Sequence, residues 1–146
     1  MLASDPGVVL WTVPLAALRA HACPVEAPPW EGASGLLPQM VEHAIAQKDF
    51  LETPCPMPAA VQLHARRIAH FAVRGWTDPI LVDVGVPWMP GWRPCWPIGD
   101  GNHRLYAAIL RGDPHIVAEI GGCLETAREW LRPEPTSSKE MACPTT

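Results

Sequence analysis

The residues of this chain that could do chemistry are concentrated in residues 99–104, with the sequence Gly-Asp-Gly-Asn-His-Arg. The two glycines permit positive φ and close approach of the backbone to a ligand. Asp100 or Asn102 could cap a helix that starts here. His103 and Arg104 would then lie beside the positive end of the helix dipole, which disfavours a cation unless an anion binds as well. The segment therefore predicts an anion-binding turn, in which backbone N–H groups, an imidazole and a guanidinium would meet a phosphate.

A purely structural interpretation fits the same pattern about equally well. Arg104 could pair with a nearby carboxylate such as Asp83, and His103 could lie on the surface. Short glycine turns before helices are common, so the spacing alone does not separate the two interpretations.

Two carboxylates are placed to assist such a site. Asp83 follows a predicted strand and Asp100 lies within the turn, so both are candidate catalytic residues, and Asp100 is also the candidate Mg²⁺ ligand. Capping of the helix is the competing role for Asp100. Glu42 and His43, on an earlier predicted helix, could act as acid, base or metal ligand, but a solvated helix face is favoured for them.

Aromatic and basic residues could complete a pocket around the turn. Trp88 and Trp92 lie in a proline- and glycine-rich loop, so we expect them to be exposed, where they could stack a base. Trp76 and Trp96 are assigned to packing. Arg66 and its neighbour Arg67 could extend a basic rim toward the phosphates, with ordinary surface charge as the alternative.

The turn needs elements that position it, and hydrophobic periodicity predicts them. Strands are expected over residues 8–13, 79–84, 95–99 and 115–120. Helices are expected over residues 36–51, 59–74, 102–111 and 124–131, with a short helical turn at 15–20. The predicted fold class is therefore α+β, with a small mixed sheet and helices packed against it.

Composition limits the classes of protein that fit. A chain of 146 residues suits one domain with its own core, predicted over residues 1–131, and the Pro/Ser-rich residues 132–146 are expected to be a disordered tail. The 18 prolines cluster between the elements and indicate long loops. The net charge of −4 disfavours DNA as a partner, because backbone binding to duplex DNA usually needs a basic surface.

The cysteines and the hydropathy predict the cellular compartment of the protein. The five cysteines form no CxxC pair, so a zinc site is not expected. We expect the thiols to be reduced and the protein to be cytoplasmic. No apolar run approaches the ~20 residues that cross a bilayer, so no membrane partner is expected.

The stretch from about Val61 to Ile120 resembles the ParB/sulfiredoxin superfamily. A helix ending at Gly75 leads to a strand that begins with a proline, the Asp-Gly-Asn-His-Arg box follows with small residues after it, and a strand comes shortly after that helix. Residues 8–18 are similar to the family's opening strand and its continuation. Together these segments cover about two thirds of the chain, and their order and spacing are more specific than any one of them.

The resemblance implies nucleotide-phosphate binding at the box, with ATP or CTP and Mg²⁺ as cofactors. In that family reading, His103 and Arg104 contact phosphates, and Gly101 and Asn102 supply backbone N–H groups. Sulfiredoxins have a nucleophilic cysteine where this chain has Asn102, so sulfinic acid reduction is not expected. Partition proteins carry a downstream helix-turn-helix module that would not fit in this chain, so centromere binding is not expected either.

Three hypotheses for function follow. The first is a nucleotide triphosphate hydrolase, or a kinase whose phosphoryl acceptor is a small molecule or a protein. The second is a ParB-like nuclease or DNA-processing accessory protein. The third is a non-catalytic module whose Pro/Trp loops bind a protein partner.

Overall fold

The computed structural model describes residues 7–26, 33–86, 88 and 94–133. Within these ranges the elements are, in chain order, β1 (Leu10–Pro14), α1 (Leu15–Arg19), α2 (Pro38–Ala46), α3 (Val61–Arg74), β2 (Ile80–Asp83), β3 (Ile98–Asp100), α4 (Asn102–Arg111), β4 (His115–Gly121) and α5 (Leu124–Leu131). The predicted α+β class with a small mixed sheet and packed helices is confirmed. Residues 134–146 of the predicted tail lie outside the described residues.

The four described strands form one sheet in the order β1-β4-β2-β3. β4 pairs antiparallel with β1 and parallel with β2, and β2 pairs antiparallel with β3. The side chains of Ile116, Ala118 and Ile120 alternate along β4 and are buried, as the two-residue period of a strand requires. The β2–β3 pair brings the turn at residues 99–104 to one edge of the sheet.

Two elements differ by more than two residues from the predicted bounds. The second helix, predicted over residues 36–51, spans only Pro38–Ala46, with Pro38 in its first turn, where a proline costs no hydrogen bond. It ends because Lys48 has a φ of +53° and the Asp49 N–H donates to Ala44 O. β3, predicted over residues 95–99, spans Ile98–Asp100.

Helix α4 is held on two sides. Its Leu105 and Ala108 are fully buried in a core that includes β2 and β4, and Tyr106 and Ala107 are fully buried in a second core with α2 and α3. Each large apolar side chain buried in this way contributes roughly 1.5–3 kcal/mol. The sheet and α3 together therefore fix the position of the first turn of α4.

No helix among the described residues combines the length and the hydropathy that crossing a membrane requires.

Candidate functional site

A cavity of about 550 Å³ opens where three segments meet. The segments are the turn at residues 99–104, the proline-rich loop at residues 54–59, and one side of α3 with the residues that follow it. The volume lies within the ~300–1,000 Å³ of small-molecule sites. All six residues of the predicted turn line this cavity, so the structure places the predicted anion site at a pocket.

Neither predicted capping residue caps α4. Gly101 is the N-cap, in the left-handed region with a φ of +102°, and no side chain makes a capping hydrogen bond to the first turn. Asn102 Oδ1 instead accepts a hydrogen bond of 2.8 Å from Trp96 Nε1. The capping prediction was therefore wrong for Asp100 and for Asn102, because the chain enters the helix through a glycine.

Close packing explains why a glycine occupies position 101. A Cβ atom there would lie 2.5 Å from Ile80 Cγ2, which is far closer than side-chain carbons approach. Its positive φ also disfavours any residue with a side chain. Gly101 thus lets the turn lie directly against β2.

The first turn of α4 presents backbone donors. The first bond of the helix runs from Leu105 N–H to Gly101 O. The N–H groups of Asn102, His103 and Arg104 precede it and have no acceptor within the helix. Together with the helix dipole, they favour an anion at this end of α4.

Arg104 is only 9 % exposed and its guanidinium is engaged by the protein. Nη1 donates to the carbonyl oxygens of Asp78 and Pro79 at 2.8 and 2.9 Å, and Nη2 lies 3.2 Å from Asp100 Oδ2. The predicted structural alternative was therefore right that Arg104 pairs with a carboxylate, but the carboxylate is Asp100 rather than Asp83. Arg104 ties the turn to the chain segment before β2.

His103 lies in a cluster with two residues from elsewhere in the chain. Its Nε2 is 2.7 Å from His64 Nδ1 and 3.6 Å from Cys55 Sγ, and the two imidazole rings stack with centroids 5.0 Å apart. Burial, together with the nearby His64, Arg67 and Arg104, lowers the pKa of His103 to about 3. The imidazole is therefore neutral at pH 7 and is not the cation that the sequence pattern predicts.

Arg67, not Arg66, faces the cavity from α3. Arg67 Nη1 donates to Leu51 O at 3.2 Å, and its guanidinium carbon lies 4.3 Å from the centre of the Phe71 ring. Burial lowers the pKa of Arg67, the nearby Cys55 opposes this, and the like charge of Arg104 adds to the lowering. Among the described residues, no carboxylate pairs with Arg67.

The predicted role of Arg66 as a pocket residue was wrong. Its Nε lies 2.8 Å from Asp49 Oδ1, and it lines a separate groove between α2 and α3. Successive residues of a helix point about 100° apart, so the two arginines cannot serve one site together.

Asp83 does not meet Asp100. Its Oδ1 accepts a 2.8 Å hydrogen bond from Gly85 N–H at the far end of β2, outside the lining of the cavity. The β2–β3 register explains this, because Asp100 is paired with Leu81. Of the two candidate catalytic carboxylates, only Asp100 lines the cavity, and its side chain is exposed.

The tryptophans are also placed differently from the prediction. Trp88 is 68 % exposed, as expected, but it does not line the cavity, and Trp92 lies outside the described residues. The aromatic residues that do line the cavity are Phe71 and Trp76, whose rings meet edge to face at 6.1 Å. Trp76 had been assigned to packing alone.

Cys55, His64 and Trp76 line the cavity, although the sequence pattern predicts no binding role for them. Cys55 and His64 had no recognisable metal-ligand spacing, since zinc motifs usually pair ligands two to five residues apart. The only sequence feature that singles out Cys55 is that Pro54 and Pro56 flank it. Flanking prolines indicate a stiff loop and do not by themselves indicate a site.

Comparison with known proteins gives no assignment. No family model matches the chain, and neither the curated proteins nor the solved structures contain a match.

Proposed function

We propose that the chain is a nucleotide-binding protein of ParB/sulfiredoxin-like fold that holds the phosphates of ATP or CTP in the cavity between residues 99–104 and α3. One observation carries the proposal. The Arg67 guanidinium lies in a cavity into which the N-terminus of α4 also opens, and no described carboxylate neutralises it. A partly buried cation opposite a helix N-terminus is electrostatically unfavourable until an anion lies between them.

The turn at residues 99–104 and Arg67 of α3 contribute differently to phosphate binding. The backbone N–H groups of residues 101–104 supply donors of fixed geometry, as in other phosphate sites at helix N-termini. Arg67 supplies the positive charge and can contact two phosphate oxygens at once. Arg104 holds the turn in place and adds positive potential, since its own donors are engaged by Asp78, Pro79 and Asp100.

The aromatic side of the cavity suits a nucleobase. Phe71 and Trp76 form an apolar wall, and base stacking on such rings contributes about 1–3 kcal/mol. The wall offers stacking rather than a set of donors and acceptors that would distinguish adenine from cytosine. This wall therefore suits ATP and CTP equally.

The residues present also fit Mg²⁺. Asp100 lines the cavity and its side chain is 78 % exposed, so an oxygen is accessible to a hydrated ion that also contacts phosphates. Bound Mg²⁺ would supply neutralisation of phosphate charge. Phosphoryl transfer to water or to a small-molecule or protein acceptor is the reaction class this arrangement favours, because that chemistry depends mainly on positioning and charge neutralisation.

Isothermal titration calorimetry on the full chain tests the proposal. ATP, CTP and tripolyphosphate are expected to bind, and adenosine and cytidine to bind much more weakly. Arg67→Gln is expected to reduce triphosphate affinity by roughly 10- to 150-fold, since a hydrogen bond to a charged group contributes about 1.5–3 kcal/mol. Arg66→Gln is the matched control, because it removes the same charge from the adjacent position on the groove side.

Asp100→Asn and Asp83→Asn test the metal. The gain in affinity on adding Mg²⁺ should shrink in Asp100→Asn and persist in Asp83→Asn. The proposal is wrong if no triphosphate binds, or if Arg66→Gln weakens binding as much as Arg67→Gln, which would indicate attraction by net charge alone.

A further inference from the structure

The cluster of Cys55, His64 and His103 combines three metal-ligating side chains from separate parts of the chain. Cys55 lies in the loop before α3, His64 in the first turns of α3, and His103 in the first turn of α4. Their ligand atoms all lie within 4.8 Å of one another. This is the one cluster of three or more such groups among the described residues.

From this arrangement we propose that Cys55 Sγ, His64 Nδ1 and His103 Nε2 form a three-ligand zinc site. The proposal does not depend on nucleotide binding. One thiolate and two imidazoles are the ligand types that zinc prefers, whereas Mg²⁺ and Ca²⁺ prefer oxygen.

Two of the three distances between ligand atoms can be compared with those around a coordinated ion. With Zn–N near 2.1 Å and Zn–S near 2.3 Å, tetrahedral geometry separates two nitrogens by roughly 3.4 Å and a sulfur and a nitrogen by roughly 3.6 Å. The Cys55–His103 distance of 3.6 Å already matches. The His64–His103 distance of 2.7 Å is that of a hydrogen bond, and it must widen by roughly 0.7 Å to admit the ion.

The surroundings favour a held ion over a mobile one. His64 is 4 % exposed, and α3 and α4 pack together through their own buried residues. Pro54 and Pro56 restrict the backbone on both sides of Cys55. The ligands therefore come from a rigid frame, which lowers the entropy lost on binding.

Zinc binds the neutral imidazole and the thiolate, so uptake of the ion would release the thiol proton of Cys55. Three protein ligands leave the fourth coordination position of zinc open. Because Cys55, His64 and His103 all line the cavity, this position faces the space in which we propose that the triphosphate binds.

Cobalt substitution of the chelator-treated full chain tests the site. One Co²⁺ per chain is expected to bind with a thiolate-to-cobalt charge-transfer band and strong tetrahedral absorption, and Zn²⁺ should displace it. Cys55→Ser should abolish the charge-transfer band and weaken Co²⁺ binding by at least roughly 100-fold, since even loss of an outer-shell partner costs about 10- to 100-fold. Cys123→Ser is the matched control, because Cys123 lies at the start of α5 outside the cavity and should leave the spectrum unchanged.

X-ray absorption of the zinc-loaded wild type keeps the test independent of whether Cys55→Ser folds. One sulfur and two imidazole scatterers around zinc are expected. A shell without sulfur, or a cobalt band that survives in folded Cys55→Ser or Cys55→Ala, would overturn the site. The Co²⁺ titration and the X-ray absorption measurement are made without nucleotide, so a failure to bind triphosphate leaves both results unaffected.

Discussion

Each end of strand β2 has an aspartate and a tightly packed glycine beside it, but a cavity opens at only one of the two ends. At the carboxyl end, Asp83 accepts from Gly85 N–H, and Gly122 packs so tightly that an added Cβ would lie 2.5 Å from Gly85 O. At the amino end, Gly101 packs equally tightly against Ile80, yet a cavity of about 550 Å³ opens beside it.

The difference lies in the elements that meet each end. The carboxyl end of β2 is closed by backbone, with Val84 N–H donating to Gly121 O and Cys123 N–H to Gly85 O. The amino end meets the N-terminus of α4 and the Arg67 side chain of α3. An aspartate beside glycines thus indicates a tight turn, and a ligand site needs a cation and backbone donors with space between them.

The two ends of β2 should depend equally on glycine for stability. Gly101→Ala and Gly122→Ala should each lower the free energy of unfolding by about 2–5 kcal/mol, from an unfavourable positive φ plus a steric overlap. Urea unfolding followed by circular dichroism measures both. A loss below about 0.5 kcal/mol in either variant would mean that the backbone does not pack as described at that end.

Arginines 104 and 67 should separate stability from binding. Arg104→Ala leaves the carbonyls of Asp78 and Pro79 without their charged donor and should cost about 2–4 kcal/mol of unfolding free energy. Arg67→Gln gives up one 3.2 Å hydrogen bond to Leu51 O and should cost about 1 kcal/mol or less. Equal losses in urea unfolding would contradict the assignment of Arg104 to structure and Arg67 to ligand.

The smallest effect is expected one turn beyond the site, at Tyr106. Its hydroxyl is buried without a hydrogen-bond partner among the described residues, and burial, aided by Cys23, raises its pKa to about 12. Tyr106→Phe should therefore change the unfolding free energy by less than about 1 kcal/mol and in the stabilising direction.

Alkaline titration checks the same hydroxyl, because Tyr106 is the single tyrosine of the chain. The folded state keeps its proton where the unfolded state loses it, so stability should fall as the pH rises from about 10 toward 12. The tyrosinate absorbance should appear with unfolding or near pH 12. Ionisation near pH 10 in the folded chain would show that the space beside α4 extends past its first turn.

Much of the fold could be predicted from local pattern. The predicted bounds of α4 and α5 agree with the structure, because Gly101, Gly112 and Cys123 bracket clear helical periodicity. α2 was predicted too long because nothing in its apolar spacing signals that Lys48 adopts a positive φ.

The site was predictable only in part. The turn at residues 99–104 could be located from the sequence because its glycines, aspartate and arginine follow one another within six residues. The choice of Arg67 over Arg66, and the separation of Asp83 from Asp100, depend on helix rotation and strand register. The meeting of Cys55, His64 and His103 depends on the packing of a loop and two helices that are far apart in sequence.

The central claim is that the amino end of β2, and not its carboxyl end, binds phosphate. Titration of ¹⁵N-labelled full chain with ATP and Mg²⁺, followed by amide and arginine Nε resonances, tests it most directly. The largest shifts are expected on the amides of residues 101–104 and on Arg67 Nε, with the resonances of Gly85, Gly122 and Cys123 nearly unchanged. Larger shifts at those three residues, or no shift at residues 101–104 when ATP is in millimolar excess, would contradict it.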